Sequence, residues 1–498
     1  MPTRWGQRVL GNATALWSGQ VWYFVNMVVW TALVARYIGP RVYGVYAYAQ
    51  ATVSMLLILV NLGLDQLIIR DLAQRADMGF VYCRHALRLK LALGILVLGG
   101  FVVLNLVQNQ ASETIAITAI VALYGIVGAV AQVFTAMINA REAMYYSVLA
   151  QSVNASLTLA SGAVAVWMHL PFSVILLFSL VASCVQVMIG RHFALMLYRD
   201  VQKESGKEPT IWRAAIMLAL RSIPFGILGV IAVLGTNLGV ILLGWFRASD
   251  ETIGYFGAAL RVYSLVMLFL GALGDALFPG LARIYAESQE RFAKVFEFSW
   301  RIFFFVSIPI VAGLWLVARD VLLLIYGSEF EDGVGPLRIL SLMFLNGVGY
   351  LMGRAMAAMH RQTLSAAIQG AALVIVVCTA CLAIPRYSAN GVAGAMVGGT
   401  LAGLVVYTAL LFRWLRLRFP VVWCIKTVIA AVVMGLGTVL VQSRIDALPV
   451  TLTIAPTIYL LTHLALRTVS RDEWAQAAKL LPGRLTQWIA AKWARGVR

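Results

Sequence analysis

The chain has 498 residues, of which 61% are apolar and only 12% charged, and its formal net charge is +18. About a quarter of the residues in soluble domains are charged, so these few charges cannot cover a soluble fold, and a soluble enzyme is excluded. In hydrocarbon only helices and closed barrels satisfy every backbone polar group. The sequence has long apolar runs instead of the alternating segments of barrels, which predicts an all-α, polytopic membrane protein.

Apolar runs of about twenty residues predict about fourteen transmembrane helices. In the first half of the chain they cover 14–36, 44–66, 86–107, 115–138, 146–168, 173–197 and 215–244. In the second half they cover 254–278, 299–318, 336–359, 364–384, 391–412, 421–441 and 451–467. Tryptophan and leucine alternate with basic residues in the tail at 468–498, which predicts an amphipathic helix on the cytoplasmic membrane surface.

Lysine and arginine are distributed unequally between the two sides of the predicted spans. The segments on the amino-terminal side hold 29 of the 39, and the opposite loops hold six. Because cytoplasmic loops are rich in Lys and Arg, we expect a bacterial inner-membrane protein with both termini in the cytoplasm. The positive charge then faces anionic lipid headgroups, so membrane lipids are expected partners and a nucleic acid is not.

An internal repeat relates the second predicted helix to the eighth. The two align without a gap at an offset of 210 residues, which pairs Gly44 with Gly254, Ala49 with Ala259, Ser54 with Ser264, Asp65 with Asp275 and Leu67 with Leu277. The offset spans six helices, so both copies have one orientation, as in transporters built from parallel repeats. We therefore expect six-helix bundles at 1–200 and 210–415, an accessory helix pair at 421–467, and the tail.

Motifs for nucleotide-driven or metal-dependent chemistry are missing from the sequence. Gly206 and Lys207 are followed by Glu208, so they do not form a phosphate-binding P-loop. H-E-x-x-H and G-x-S-x-G do not occur either. We expect a protein that is not an enzyme, with no catalytic residue, no cofactor and no metal site.

Several short segments carry a resemblance to a known family. Residues 35–49, ARYIGPRVYGVYAYA, are followed by NLGLD at 61–65, and GYFGAALR begins at Gly254. Later come LIYG, ending at Gly327, and NGVAGA, beginning at Asn390. These segments resemble the polysaccharide-transporter, or Wzx-type, lipid-linked oligosaccharide flippases, whose superfamily also holds multidrug exporters and the lipid II flippase. The resemblance implies fourteen helices in two bundles around a central cavity, alternating access and a polyprenyl-pyrophosphate-linked glycan as cargo.

Polar residues inside the spans are the candidate site residues, because ionisable groups there are costly and usually face protein or water. Arg261 and Arg221 lie about two turns inside their helices, too deep to reach the interface, whereas Arg36 and Arg354 lie near span ends. The predicted cavity residues are Arg261, Arg221, Arg354, Arg36, Asn26 and Asn346. The predicted structural or gating residues are Asp65, Asp275, Arg70 and Arg283, with Asp65 paired to Arg70 and Asp275 to Arg283.

The favoured hypothesis is a flippase for a lipid-linked oligosaccharide, because arginine suits phosphate recognition and the lipid tail can remain in the bilayer. Proton or sodium coupling is left open. One alternative is a multidrug exporter of the same superfamily, but a cationic cargo favours an acidic pocket. The other is a membrane-embedded glycan polymerase or ligase. Such an enzyme is expected to carry a large extracytoplasmic loop, and the longest predicted here, about 319–335, is short and acidic.

Overall fold

The computed structural model describes residues 2–61, 63–74, 79–107, 112–199, 229–231, 233–443, 448–466 and 468. All regular elements in these residues are helices, which confirms the all-α prediction. The α-helices are α1 (Pro2–Asn61), α2 (Leu64–Gln74), α3 (Gly79–Val107), α4 (Ser112–Ala140), α5 (Met144–Trp167), α6 (Phe172–Tyr198), α7 (Gly229–Trp245), α8 (Asp250–Glu287), α9 (Gln289–Tyr326), α10 (Val334–Ser341), α11 (Asn346–Ala358), α12 (Gln362–Trp414), α13 (Val421–Gln442) and α14 (Leu448–Ala465). Short 3₁₀ helices cover Ser328–Gly333 and Leu342–Leu345.

Many of these helices suit a membrane. Among the described residues, nine helical stretches are long and apolar enough to cross one, judged by length and composition. Three of the nine are interrupted: Ser18–Gln74, Ser328–Ala358 and Gln362–Trp414. Helices α7 and α14 are shorter apolar helices. The protein is therefore a multi-pass membrane protein, and the number fourteen stays a prediction. The first part of the predicted span at 215–244 lies outside the described residues, as does the tail after Thr468.

The breaks in α1 and α12 lie between the predicted spans. In α1, Gly39 has φ 70° and ψ 174° and is followed by Pro40. Glycine adopts positive φ without steric cost, and proline suits the first position of the helix that follows. In α12 the break is at Ser388, with φ 49°, three residues after Pro385. Predicted spans 1 and 2, and spans 11 and 12, are thus separate helical segments.

Two predicted spans differ from the structure in detail. The second was expected to run from 44 to 66, but α1 ends at Asn61 and α2 starts at Leu64, because Gly63 has φ 77° and ends the helix. The tenth, at 336–359, is divided into α10, a 3₁₀ turn and α11. At that division the Ser341 hydroxyl donates to the Arg338 carbonyl at 2.6 Å, a side-chain bond that competes with the helical ladder.

The described residues form two compact units that alternate along the chain. Unit 1 comprises Met1–Leu265, Val321–Leu337 and Ala366–Gly399; unit 2 comprises Val266–Asp320, Arg338–Ser365 and Thr400–Arg498. In unit 1, buried side chains of α2, α3, α4 and α6 form one core, and those of α1, α3, α4, α5 and α6 form another. In unit 2, α13 and α14 pack around Met434 and Tyr459. The two six-helix bundles inferred from the repeat stay a prediction.

The second half of α1 and the first half of α8, both in unit 1, approach each other unusually closely. A Cβ atom built on Gly44 would lie 1.8 Å from the carbonyl oxygen of Asp250, and one on Gly254 would lie 2.1 Å from that of Pro40. One turn further on, a Cβ on Gly257 would lie 2.9 Å from the Cβ of Ala47. Only glycine permits backbones this close. The glycines paired by the sequence repeat therefore face each other in space.

A candidate substrate cavity in unit 1

Unit 1 encloses a cavity of about 250 Å³ between α1, α4, α5, α6 and α8. Its wall combines apolar side chains and aromatic rings with phenol, indole, amide and hydroxyl groups. The lining residues are Tyr23, Asn26, Met27, Trp30, Tyr46, Gln50, Ile120, Val121, Tyr124, Asn154, Ala155, Thr158, Leu176, Ser179 and Arg261. Cavities that bind small molecules have this character, since apolar walls carry a few placed polar groups.

Helical spacing explains how the first half of α1 supplies four of these residues. Tyr23, Asn26, Met27 and Trp30 follow one another at intervals of three, one and three, so they share one face of the helix. The Asn26 amide is almost fully buried and donates to the Trp22 carbonyl at 2.8 Å. About two turns of α1 therefore present both an amide and aromatic rings to the cavity.

The amides on α5 are held in place by neighbouring helices. The Asn154 amide donates to Gln186 Oε1 on α6 at 2.8 Å, and Thr158 donates to Asn154 Oδ1 at 3.3 Å. The Tyr124 hydroxyl of α4 also interacts with Asn154. Such a network fixes the orientation of each group. This wall is thus a pre-organised set of neutral hydrogen-bonding groups.

Arg261 is the positive charge in the described part of the cavity wall. It follows Gly254 and Gly257 at helical spacing, so it lies on the face of α8 that packs against α1. The side chain is half-buried, and its electrostatic neighbours are the phenols of Tyr43 and Tyr46, with no carboxylate among the described residues. Arg261 therefore leaves its charge available to a ligand in the cavity.

The other predicted cavity residues are distributed differently. Asn26 and Arg261 line the cavity together, whereas Arg36 of unit 1 does not line it. The Arg36 guanidinium instead donates to the carbonyl oxygens of Leu323, Leu324 and Ile325 at the end of α9. Helix ends leave such carbonyls without intrahelical partners, so the described contacts of Arg36 are structural, and its place in a cavity stays a prediction.

The three remaining candidates are Arg221, Asn346 and Arg354. Arg221 lies outside the described residues. In unit 2, Asn346 begins α11 and is half-buried beside Gly349. Arg354, also in unit 2, forms an ion pair with Asp275 and accordingly has a partner of its own.

The gating carboxylates have partners other than those expected. Asp65 Oδ1 binds Lys90 Nζ at 2.7 Å, and Arg70 binds Asp71 at 2.7 Å. Asp275 binds Arg354, while the exposed Arg283 lies 3.9 Å from Glu287 one turn further along α8. The predicted pairs Asp65–Arg70 and Asp275–Arg283 were wrong, because the cations that bind the two carboxylates lie on other helices.

Some residues of the site were missed by sequence reasoning. Gln50, Tyr124 and Asn154 line the cavity, and Lys90 is the fully buried partner of Asp65. The helical spacing of Tyr23, Asn26 and Trp30 is a sequence pattern that would have found one wall. Lys90 was counted among the basic residues that flank spans. In the described part of the chain, no cluster of His, Cys, Asp and Glu is arranged to hold a metal ion.

Comparison with known proteins places this cavity in context. A family model described as "Polysaccharide biosynthesis protein" matches residues 9–285, a range that includes every lining residue. A curated relative from Haloferax volcanii, the probable low-salt glycan biosynthesis flippase Agl15, is 22% identical over 255 residues, which cover 49% of this chain and 53% of the relative. The chain thus spans about half the length of the curated relative it matches.

Two solved structures show the same fold over most of the chain. The lipid II flippase MurJ, in an inward closed conformation, has a TM-score of 0.67 at 14% identity, covering 92% of this chain and 99% of MurJ. An inward-facing multidrug resistance MATE family transporter of the MOP superfamily has a TM-score of 0.63 at 16% identity, covering 79% of this chain and 94% of the transporter. At such identities these similarities describe the fold alone.

Proposed function

We propose, since the chain belongs to the polysaccharide biosynthesis protein family, that it is a flippase for a polyprenyl-pyrophosphate-linked oligosaccharide. It moves this cargo from the cytoplasmic to the outer leaflet of a bacterial inner membrane, for the synthesis of a surface polysaccharide. The observation that carries the proposal is Arg261, which has no carboxylate partner among the described residues and lies in a cavity of neutral amides and aromatic rings.

The chemistry of the cavity matches the head of such a cargo. Arginine offers a planar fork of donors that can bind two phosphate oxygens at once. The amides of Asn26 and Asn154 are suited to sugar hydroxyls, and the rings of Trp30 and Tyr46 offer apolar faces for a sugar ring. The volume of about 250 Å³ admits part of the head, so the polyprenyl tail stays in the lipid.

The mechanism that follows is transport without a chemical step. Access to the cavity alternates between the two sides of the membrane, and both termini stay in the cytoplasm. The protein is not an enzyme, since translocation makes and breaks no covalent bond. The anionic head pairs with Arg261 on entry and leaves it without this partner on release, a cycle that proton or sodium coupling would drive in one direction.

A multidrug exporter is the second candidate function, and the fold shared with a MATE family transporter favours it. The electrostatics of the cavity oppose it. A cationic drug favours an acidic pocket, whereas the charge in the described wall is the cation Arg261. An anionic head is attracted where a cation is repelled, so the flippase is preferred.

The test is transport by Arg261 variants in proteoliposomes, with a fluorescent short oligosaccharide linked to polyprenyl diphosphate as the probe. Arg261→Ala should abolish flipping at normal protein abundance, because the cavity loses its charge. Arg261→Lys should restore only part of it, since a point charge replaces a bidentate donor. Membrane-impermeant quenching of the fluorophore measures the flipped fraction.

The matched control is Arg291→Ala. Arg291 is an exposed cation that pairs with Glu287 one helical turn away, so its loss should leave flipping unchanged. Full transport by Arg261→Ala would contradict the proposal. Loss of the Arg261→Ala protein from the membrane would instead assign Arg261 a structural role.

A further inference from the structure

A second arginine, Arg354 on α11 of unit 2, is held between aromatic rings and a carboxylate. Its guanidinium carbon lies 5.0 Å from the centre of the Tyr350 ring and 5.7 Å from that of Phe278. It binds Asp275 Oδ1 and donates to the Tyr350 hydroxyl at 2.7 Å, and that hydroxyl donates to the same Asp275 oxygen at 2.8 Å. The cation is thus oriented from three sides, as in a formed anion site.

The guanidinium is not saturated by these contacts. Its Nε is buried and has no hydrogen-bond partner, and an unmade bond at a buried donor is costly. The side chain as a whole stays 37% exposed. An incoming group with several oxygens could therefore reach Arg354 and satisfy more of its donors than the single oxygen of Asp275 does.

Asp275 is a poorly retained partner. Its side chain is 53% exposed, and exposed ion pairs contribute little because water and salt screen them. The repeat-related carboxylate in unit 1 contrasts with it, since Asp65 is 26% exposed and its partner Lys90 is 0% exposed. The Asp65–Lys90 pair is closed to ligands, whereas the Asp275–Arg354 pair is accessible. The predicted topology places Asp275 near the cytoplasmic end of its span, where cargo is loaded.

We propose that Arg354 is a second phosphate-binding site, in which Asp275 is a resident counter-ion that the diphosphate of the cargo displaces. This inference rests on the proposed flippase function. Phosphate oxygens bind arginine in a bidentate manner and carry more charge than one carboxylate, so exchange is favourable. When the cargo leaves, Asp275 returns to Arg354. The empty site keeps no free cation, which limits binding of other anions.

The experiment measures equilibrium binding of geranylgeranyl diphosphate to the purified full-length protein in detergent. Asp275→Asn removes the competing charge and should tighten binding about two- to five-fold, the range that an exposed ion pair contributes. Arg354→Ala should weaken binding, and Arg354→Lys should restore it in part. Tyr350→Phe, which removes the hydroxyl that holds Asp275, should tighten binding slightly.

The control is Glu287→Gln, which removes an exposed carboxylate from the same helix, α8, and should leave affinity unchanged. Weaker or unchanged binding by a folded Asp275→Asn protein would overturn the inference. If the wild type binds no diphosphate, the proposed function fails too; if it binds but the variants do not differ, this site alone is wrong.

Two further probes distinguish the sources of the phosphate. Inorganic pyrophosphate should bind Asp275→Asn more tightly than wild type but more weakly than the prenylated probe, since it has no tail. Vesicles of phosphatidylglycerol should not compete at equal phosphate concentration. Full competition by those vesicles would identify an ordinary anionic lipid as the ligand and overturn the assignment to cargo.

Discussion

Lys90 is an extreme case among the charged side chains of the described chain, because its side chain is completely enclosed by protein. Its Nζ donates to Asp65 Oδ1 at 2.7 Å and to the Ala129 carbonyl at 3.0 Å. Asp65 retains contact with water at 26% exposure. The two side chains of the pair therefore differ in how they can be solvated when the partner is absent. The carboxylate can be hydrated alone, whereas the ammonium depends on its partner.

This inequality gives a prediction about stability. Asp65→Asn should cost about 3–5 kcal/mol, the range for leaving a buried charge uncompensated, whereas Lys90→Met should cost clearly less. The double variant should recover most of the loss, since it buries no charge. The thermal unfolding midpoint in detergent measures all three. A larger loss for Lys90→Met than for Asp65→Asn would contradict this account.

The depth of a polar residue within its predicted span was the property that indicated whether it lines a cavity. Arg261 and Asn26 were expected in a cavity wall and lie in one, because a mid-span polar group needs protein or water around it. Their role in binding stays a prediction. The contacts of Arg36 and Lys90 could not be predicted, since their partners lie 289 and 25 residues away and depend on tertiary packing.

At the contact of α1 with α8 the two helix backbones approach each other so closely that the choice of side chain is restricted. Gly44 and Gly254 leave no room for a side chain on either helix. The same approach aims Arg261 at α1, two turns beyond Gly254. Helix packing at this point and the position of the cavity charge therefore depend on the same residues.

A single methyl group should separate these helices. Gly254→Ala would place its Cβ 2.1 Å from the Pro40 oxygen, and overpacking of this kind costs about 1–3 kcal/mol. We expect a lower unfolding midpoint and reduced flipping. Gly271→Ala on the same helix is the control, since no described atom lies within 4 Å of its Cβ. That alanine should be neutral or stabilising. Equal midpoints for the two variants would refute the close contact.

The sequence predicted where most helices lie, because apolar runs and proline or glycine at their ends are local properties. The intervals 36–44 and 384–391 between predicted spans contain the breaks at Gly39 and Ser388. The end of α1 at Asn61 was missed, since apolar residues continue beyond Gly63. A continuous apolar stretch in the sequence does not indicate where the backbone changes direction.

For the whole molecule, the two units alternate along the chain, so chain order alone does not describe its compact parts. Unit 1 takes residues from both predicted bundles. Topology is a separate property that depends on charge bias across the membrane. The repeat and the distribution of Lys and Arg indicate how the helices are oriented in the membrane. The composition of the compact units depends instead on packing between distant segments.

Reporter fusions test the predicted topology. Fusions after Arg213 and after Lys294 should report the cytoplasm, because basic residues are concentrated there. Fusions near Gln110 and Ser328 should report the opposite side. Alkaline phosphatase and a fluorescent protein, used in parallel, give opposite responses and serve as controls for each other. The same side for fusions at Tyr82 and Gln110 would show that the count of spans is wrong.

The two repeat-related ion pairs also differ in when they can form during synthesis. Asp65 and Lys90 are 25 residues apart, on successive helices, whereas Asp275 and Arg354 are 79 apart. An unpaired charge inside a membrane span is costly on insertion. The first pair can neutralise itself as one hairpin leaves the ribosome. At about 5–20 residues per second, Asp275 waits roughly 4–16 seconds for its cation, so that carboxylate has to remain in contact with water while the nascent chain enters the bilayer.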